Sequence, residues 1–574
     1  MTSPALHVLR RGAEGLSAHL QPSGELHDPV FAEPTQYGTA YYAYVNAALA
    51  SLTEGPERAR YADAARRGLT ATLDHLLDPD SPTPTTRYYP AVGSPGTDNL
   101  RDFMWPPALR ALRLLRAVGA PDLDPVAERI RRVAVPDAFN KRPPVNWASV
   151  WMSGEWLRIG DGLSPYDQGR MDEWLEPFLT EAIDLEAGFY REPGLPNSYD
   201  LFTRVHLLYL LADGYAGAHR KDLERLLVTG LRRSLAVQLS SGSLAGAHRS
   251  TGQVWTLGAQ CSYFHQAAAL VKADDPALAA AADAAAVRSL HAMADCFRPA
   301  GDLSPVENVL PANHRVGYEV YTSDPHYVSL PLGFLATAVL AGFTGEEPAG
   351  RTAADREPVA RVEGEPVHRA LLHADGWSVH LNLGPRDGYV TADQAFDAFG
   401  IADLTLGPRR RLRFGGQVHH MATGTPLTLG IAVHRPDRSI QPVAALRPSD
   451  RGPAVVTGRR LEAVADFDGL AYRIAVDLGP DEARIVEEAP GHPVSLLVPY
   501  LRDRGDGRTT EVRVDGGRVR LTAGDEEVVV EAGGPVLHTV HLPHGYESRH
   551  GLVGLVRIDL AGTGRAAYRV RRVR

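Results

Sequence analysis

At 574 residues the chain is too long for one ordinary core and should divide into at least two domains. Its 44% hydrophobic and 22% charged content is that of a globular protein, and a net charge of −9 argues against nucleic acid as the main partner. Only two cysteines occur, Cys261 and Cys296, both in apolar helical surroundings, so they read as buried thiols rather than a disulfide framework.

The opening MTSPALHVLRRGAEGL has no apolar h-region, and no run approaches the roughly 18 apolar residues of a membrane span. The expectation is a cytoplasmic protein without a membrane partner, or a secreted one if a leader was removed.

Taken in chain order, helical periodicity recurs near 3–20, 37–53, 57–77, 100–118, 122–134, 146–160, 165–185, 198–216, 219–239, 252–272, 275–296 and 325–343. Pro/Gly/Asp-rich breaks such as DPDSPTPTT and REPGLPNS separate the runs. A dozen helices in antiparallel hairpins, with no sequence repeat, fit a closed (α/α) toroid over residues 1–343, with the apolar helices inside. An open solenoid should show a regular period, and none is found. Residues 344–367 read as a charged, Pro-rich linker. From 368 to 574 the pattern alternates with period two, as in HRALLHADGWSVHLNL, LAYRIAVDL, TEVRVDGGRVRLTA, EEVVVEA and GLVRIDLAG, with a tight hairpin at Asp515-Gly516-Gly517. This is expected to be an antiparallel β-sandwich.

Polar and aromatic residues interrupt the apolar helices most densely between Gly188 and His265. Such groups cost stability inside a core unless they are paired or used. Asn197 opens a helix as a good N-cap, and Tyr199, Thr203 and His206 follow on one stripe, with Arg204 beside them. The bland alternative is a cap, an outward phenol and a core histidine. Farther on, Arg249 precedes a helix that carries Gln253, Trp255, Gln260 and His265. Upstream, NWASVWMSGEW supplies Asn146, Trp147 and Glu155, and TDNLRDFMW supplies Asp98 and Asp102. Six of the seven tryptophans lie in the helical half, a bias that suits stacking on sugar C–H faces as well as core packing. The loop ENVLPANHRVGYEVYTSDPHY brings His314, Arg315, Tyr318, Glu319, Tyr321, His326 and Tyr327 together. His419-His420 and His373/His380 have no spaced carboxylate partner and read as scattered surface histidines, so no metal is expected.

In their order, NWASVWMSGEW, the Gly-Phe-Tyr turn, the Tyr-bearing helix start and HRSTGQ resemble the polysaccharide lyases that join a helical toroid to an antiparallel β-domain, such as hyaluronate, chondroitin and alginate lyases. The resemblance is one of architecture and spacing. It implies β-elimination from a uronic-acid-containing oligosaccharide or glycoside, with Tyr199 as the catalytic tyrosine and Arg249 beside it. Asn146 or Asn197 would neutralise the substrate carboxylate. The family's histidine normally precedes its tyrosine by several residues; here Arg191-Glu192 stand in that region, leaving His206 or His314 as the alternative base. Asn146, Trp147, Arg204, Gln253, Trp255, Gln260, Arg315, Tyr318, Glu319 and Tyr321 are the expected substrate-binding set. The Gly-His-x-His-x-Asp run of the heparinase-type subset is missing, so no metal and no cofactor is implied. A homodimer is compatible with this reading.

Two other readings stay open. A glycoside hydrolase on the same toroid, including one acting on unsaturated uronides, would use paired carboxylates from Asp98, Asp102, Glu155, Asp200 and Glu319. A non-catalytic sugar-binding protein would need the stacking residues but no titratable pair.

Overall fold

The computed structural model describes residues 3–76, 101–135, 139, 141–192, 197–246, 250–319, 322–347, 359–364, 367–374, 376–384, 399–406 and 428–573. Among the described residues, twelve α-helices occupy the N-terminal part: α1 (Pro4–Ser17), α2 (Gly38–Ser51), α3 (Gly55–Leu76), α4 (Arg101–Ala117), α5 (Asp124–Arg131), α6 (Asn146–Gly160), α7 (Gln168–Pro177), α8 (Asn197–Ala212), α9 (Arg220–Ala236), α10 (Trp255–Val271), α11 (Pro276–Ala294) and α12 (Asp324–Leu340). Each corresponds to one of the expected periodic runs. The even-numbered helices close a ring, each packing on the next and α12 returning to α2. The odd-numbered helices run back outside it, so the six inner helices are parallel.

Composition explains who goes inside. In α2 every residue from Gly38 to Ala50 is buried, and in α12 every residue from Asp324 to Ala338. Helices apolar all round must be enclosed, whereas α3 and α9 are polar on one face and lie outside. The inner helices approach closely through small residues. A side chain at Gly154 of α6 would meet Pro106 of α4 at 2.8 Å, and one at Gly258 of α10 would collide with the backbone at Pro331 of α12. Neither cysteine is in a disulfide, and both are buried in this core.

A short hairpin, β1 (Ile183–Asp184) with β2 (Phe189–Tyr190), precedes α8. The C-terminal part is antiparallel sheet. A four-stranded sheet has the order β3 (Val359–Glu363), β4 (Arg369–Ala374), β5 (Trp377–Asn382), β6 (Gly400–Leu406). Twelve further strands, β7–β18 from Gly430 to Arg572, form the second sheet, spined by β13 (Glu482–Asp503) and β18 (Gly551–Arg572). The hairpin expected at Asp515-Gly516-Gly517 joins β14 (Glu511–Asp515) to β15 (Arg518–Ala523), with Gly516 at φ +53°.

The two sheets share one core, and β4 shows how the sandwich meets the toroid. Ala370, Leu372 and Ala374 point into the sandwich, while Leu371 packs on Val237, Leu239 and Ala245 beyond α9. A strand buried on both faces loses its polar alternation, and all six residues of β4 are buried. This corrects the reading of His373 and His380 as surface histidines: both are enclosed, His373 contacting Ser378 at 2.9 Å and the Ala236 carbonyl at 3.3 Å. His419 and His420 lie outside the described residues.

The stretch expected to be a linker contains β3, and Glu363 at its end is the reason. Its carboxylate takes Arg233 of α9 at 2.8 Å and Arg369 of β4 at 2.5 Å, while Arg233 also reaches Asp200 of α8 at 3.1 Å. Burial pushes the Glu363 carboxyl up, but Arg369 and Arg233 outweigh it and hold it well below the usual carboxylate range. Removing one member of a buried ionic network leaves its partners uncompensated. Glu363→Ala should therefore cost about 3–5 kcal/mol, read as a lowered thermal midpoint by circular dichroism; an unchanged midpoint would show that the network does not dock the two parts.

Candidate functional site

Because the inner helices are parallel, their first turns meet at one end of the ring. That end is lined by aromatics, one or two from each of five helices and the residue preceding the sixth. Tyr37, just before α2, stacks on Phe103 of α4 at 5.1 Å and tilts against His326 of α12 at 4.9 Å. Phe103 meets Trp147 of α6 at 5.6 Å and Phe202 of α8 at 5.3 Å. Phe202 and Tyr199 of α8 both pack edge-on against Trp255 of α10, at 5.5 and 6.0 Å. Most of these rings are covered; Trp147 and Tyr199 are the two left half-buried.

The helix ends themselves are unusual. An α-helix leaves its first N–H groups without internal partners, and a side-chain cap normally takes one of them. Ser3, Asp167 and Asp275 cap the outer helices α1, α7 and α11 in this way, though α5 and α9 are uncapped. None of α2, α6, α10 and α12 has a side-chain cap. The mouth thus gathers the positive ends of parallel helix dipoles, which favour an anion.

Tyr199 is the phenol that this mouth leaves partly open. Its hydroxyl is 3.2 Å from the hydroxyl of Ser250, a residue held at φ +65° in the turn before α10. Trp255 is fixed beside it, donating from its indole nitrogen to Gln253 at 2.6 Å, and Gln253 in turn donates to Glu319. Glu319 is buried and ion-paired with Arg549, which arrives from the β-domain. Burial drives the Tyr37 phenol well above its ordinary pKa; the neighbouring phenols of Tyr41 and Tyr199 and the Glu319 carboxylate add to this, against a hydrogen bond with Tyr327. Tyr37 therefore stays a neutral O–H next to Tyr199.

The expected site residues divide into three groups. Tyr199, Trp147, Gln253, Trp255 and Glu319 come together at or just beneath the mouth, and Asn146 is buried as the first residue of α6. Others go elsewhere. Arg204 is fully buried in a two-armed pair with Asp200, at 3.0 and 2.8 Å, and lies over Tyr263, so it serves the core and not a ligand. Gln260 is buried against Ser289 of α11 at 3.2 Å. Tyr318 is half-buried, its hydroxyl held by Asp324 at 2.8 Å and Arg298 at 2.6 Å. Arg315 covers Tyr318 and Phe31, and His314 is exposed on a single turn, with no contact to Tyr199 among the described residues. Arg249, Tyr321 and the Asn197 side chain lie outside the described residues.

His206 sits two turns below Tyr199, walled in by Phe202, Tyr209 and Phe334 and 3.1 Å from Ser153. Burial, with Arg110 as a lesser cause, pushes its pKa down to about 3. It is a neutral core histidine in this position. The residues that sequence reasoning missed are Tyr37, Phe103, Ser250 and Arg549. Tyr37 opens the aromatic-rich QYGTAYYAYVN, a signal that could have been read; Arg549 sits in an ordinary β-turn more than two hundred positions from its partner Glu319.

No known protein family matches the chain, and no curated protein matches it in sequence. Among solved structures it is similar to the chondroitin AC lyase of Streptomyces coelicolor A3 in complex with chondroitin sulphate, at 15% identity over 99% of this chain and 79% of that one, with a TM-score of 0.48. It is also similar to a GH127 β-arabinofuranosidase at 10% identity, covering 99% and 93% of the two chains with a TM-score of 0.37. A third is the endoglucanase CelQ from Clostridium thermocellum complexed with cellobiose and cellotriose, at 10% identity over 100% and 92%, with a TM-score of 0.34. Among the described residues, no helix is long and apolar enough to cross a membrane.

The buried imidazole yields a signed pH prediction. With a folded pKa of about 3 and an ordinary unfolded value near 6.5, His206 binds its proton only in the unfolded chain between those limits. Its contribution to stability is intact near neutrality and is lost as pH falls through that window, by about 2 kcal/mol between pH 7 and pH 5. Urea midpoints should show His206→Phe losing less stability than the parent over that interval; equal losses would mean the imidazole is not held neutral.

Proposed function

We propose that this chain is a carbohydrate-active enzyme that cleaves a uronic-acid-containing oligosaccharide or glycoside by β-elimination at the toroid mouth. One observation carries the reading: the half-buried Tyr199 phenol, on the Ser250 hydroxyl, stands where uncapped inner helices begin. A mouth of positive helix ends and aromatic faces suits an anionic sugar, whose carboxylate meets N–H groups while its C–H faces stack. Of the two mouth indoles, Trp147 is more open to such stacking than the buried Trp255.

In the elimination, a base removes the C5 proton, the electron pair forms the C4–C5 double bond, and the C4–O bond breaks. A phenol serves both ends, taking the C5 proton as phenolate and returning one to the leaving oxygen. The enediolate that develops from the carboxylate is stabilised by N–H donors already oriented before reaction. A phenol also needs a cation near it to become a base, and Arg249 is the residue proposed for that part, with Asn146 or Asn197 against the carboxylate.

Hydrolysis requires two carboxylates free to act as acid and base. Three of the four described candidates are committed elsewhere. Glu155 pairs with Arg158 at 3.2 Å with both fully buried, Asp200 holds Arg204 and Arg233, and Glu319 holds Arg549. Asp102 is fully buried, and Asp98 lies outside the described residues. This supports elimination over hydrolysis on the same fold.

The test is absorbance at about 232 nm, where conjugated unsaturated uronates absorb, during incubation with a panel of uronic-acid oligosaccharides. The band should rise, and Tyr199→Phe should slow it by at least about 100-fold while leaving KM close to the parent value. New reducing ends without the band would instead indicate hydrolysis, and full turnover in Tyr199→Phe would remove the phenol from the mechanism.

A further inference from the structure

Tyr199 lies on α8, yet the turn that holds its hydroxyl partner is fastened from the other half of the molecule. The loop between β17 (Val536–Ser548) and β18 inserts Arg549 against the stretch Ser250–Gln253. The Arg549 side chain is 4% exposed; its guanidinium donates to the Thr251 carbonyl and forms the ion pair with Glu319. Its own carbonyl takes the backbone N–H of Asn308 at 2.8 Å and the Asn308 amide at 3.3 Å. Next in sequence, His550 meets Glu307 at 2.6 Å, and the Glu307 backbone N–H donates to Gly252 at 3.2 Å.

The fit leaves no slack. Gly317, at φ +76°, sits so close to the loop that a Cβ there would lie 2.6 Å from the Ser548 carbonyl and 2.7 Å from the Arg549 Cα. A Cβ at Gly252, at φ +77°, would meet Arg549 at 3.3 Å. Ser250 is in a left-handed conformation that serine adopts reluctantly, so something must hold it there. The Arg549 bond to Thr251, one residue on, does so from the C-terminal side. From Glu319 the same cation extends through Gln253 to the indole of Trp255, which packs on the Tyr199 ring.

We propose that Arg549 is a positioning residue: by holding Thr251 and Glu319 it fixes the Ser250 hydroxyl and the Trp255 ring against the Tyr199 phenol, which makes the β-domain an integral part of the catalytic unit. This rests on the reading of Tyr199 given above. Arg549 itself touches neither substrate nor the reacting proton. Small displacements of a positioned group cost up to about 100-fold in rate, so the loss should fall on kcat.

The experiment uses the full chain and the 232 nm assay. Arg549→Met should lower kcat by about 30- to 100-fold with KM moving less than about threefold, and Arg549→Lys should recover most of that loss. His373→Ala, which loosens the contact between the two halves at α9 without reaching the mouth, should lower the melting temperature and leave kcat within about twofold of the parent. If Arg549→Met does not fold, Glu319→Gln takes its place, since it removes the charge that anchors the guanidinium; kcat should again fall by at least about tenfold. A parent-like kcat in the folded Arg549 or Glu319 variant overturns the proposal, as does a rise in KM at constant kcat. If instead the parent gives no 232 nm product, or Tyr199→Phe is as active as the parent, the elimination reading itself fails.

Discussion

Everything in this molecule depends on six inner helices that close a ring while running in one direction. Closure forces the return helices outside, so the inner set is enclosed and apolar. Parallel packing then places six helix beginnings at one mouth and six helix ends at the other. The arrangement is electrostatically polarised before any charged side chain is considered, because each helix carries about half a positive charge at its start. The aromatics of the first turns close over that end and leave Tyr199 and Trp147 partly open.

The cost of this arrangement is that the mouth must be completed from outside the ring. Uncapped helix starts, a serine at φ +65° and a buried Glu319 are each unfavourable alone. The β-domain answers with arginines at two places. Arg369 joins Glu363 and Arg233 behind α8, and Arg549 joins Glu319 and Thr251 in front of α10. Asp200, the neighbour of Tyr199, belongs to the first of these networks. Both flanks of the phenol are thus tied to the sandwich by buried ion pairs, which are strongly directional once desolvated.

The architecture was legible because it rests on periodicity. All twelve helices announced themselves by apolar spacing, and the change to period two near residue 368 marked the sheet. The strand β3 was not legible, since VARVE alternates only weakly and is made a strand by the buried partners of Glu363. For the candidate site, polar residues on apolar helices were an ambiguous signal. Tyr199, Gln253 and Trp255 line the mouth, whereas Arg204, Gln260 and His206 satisfy the interior with equal polarity. A one-dimensional pattern reports that a polar group sits on a buried helix; it does not report toward which neighbour it turns. Arg549 shows the deeper limit: its role comes from a contact across 230 positions that no local pattern encodes.

The most direct test is a crystal structure of the Tyr199→Phe variant with a bound uronic-acid oligosaccharide. The account requires the sugar ring to stack beside Trp147 with its carboxylate at the inner-helix starts and its C5 facing the ring of residue 199. A sugar seated on the sandwich, or at the mouth with its carboxylate turned away from the helix starts, would contradict it.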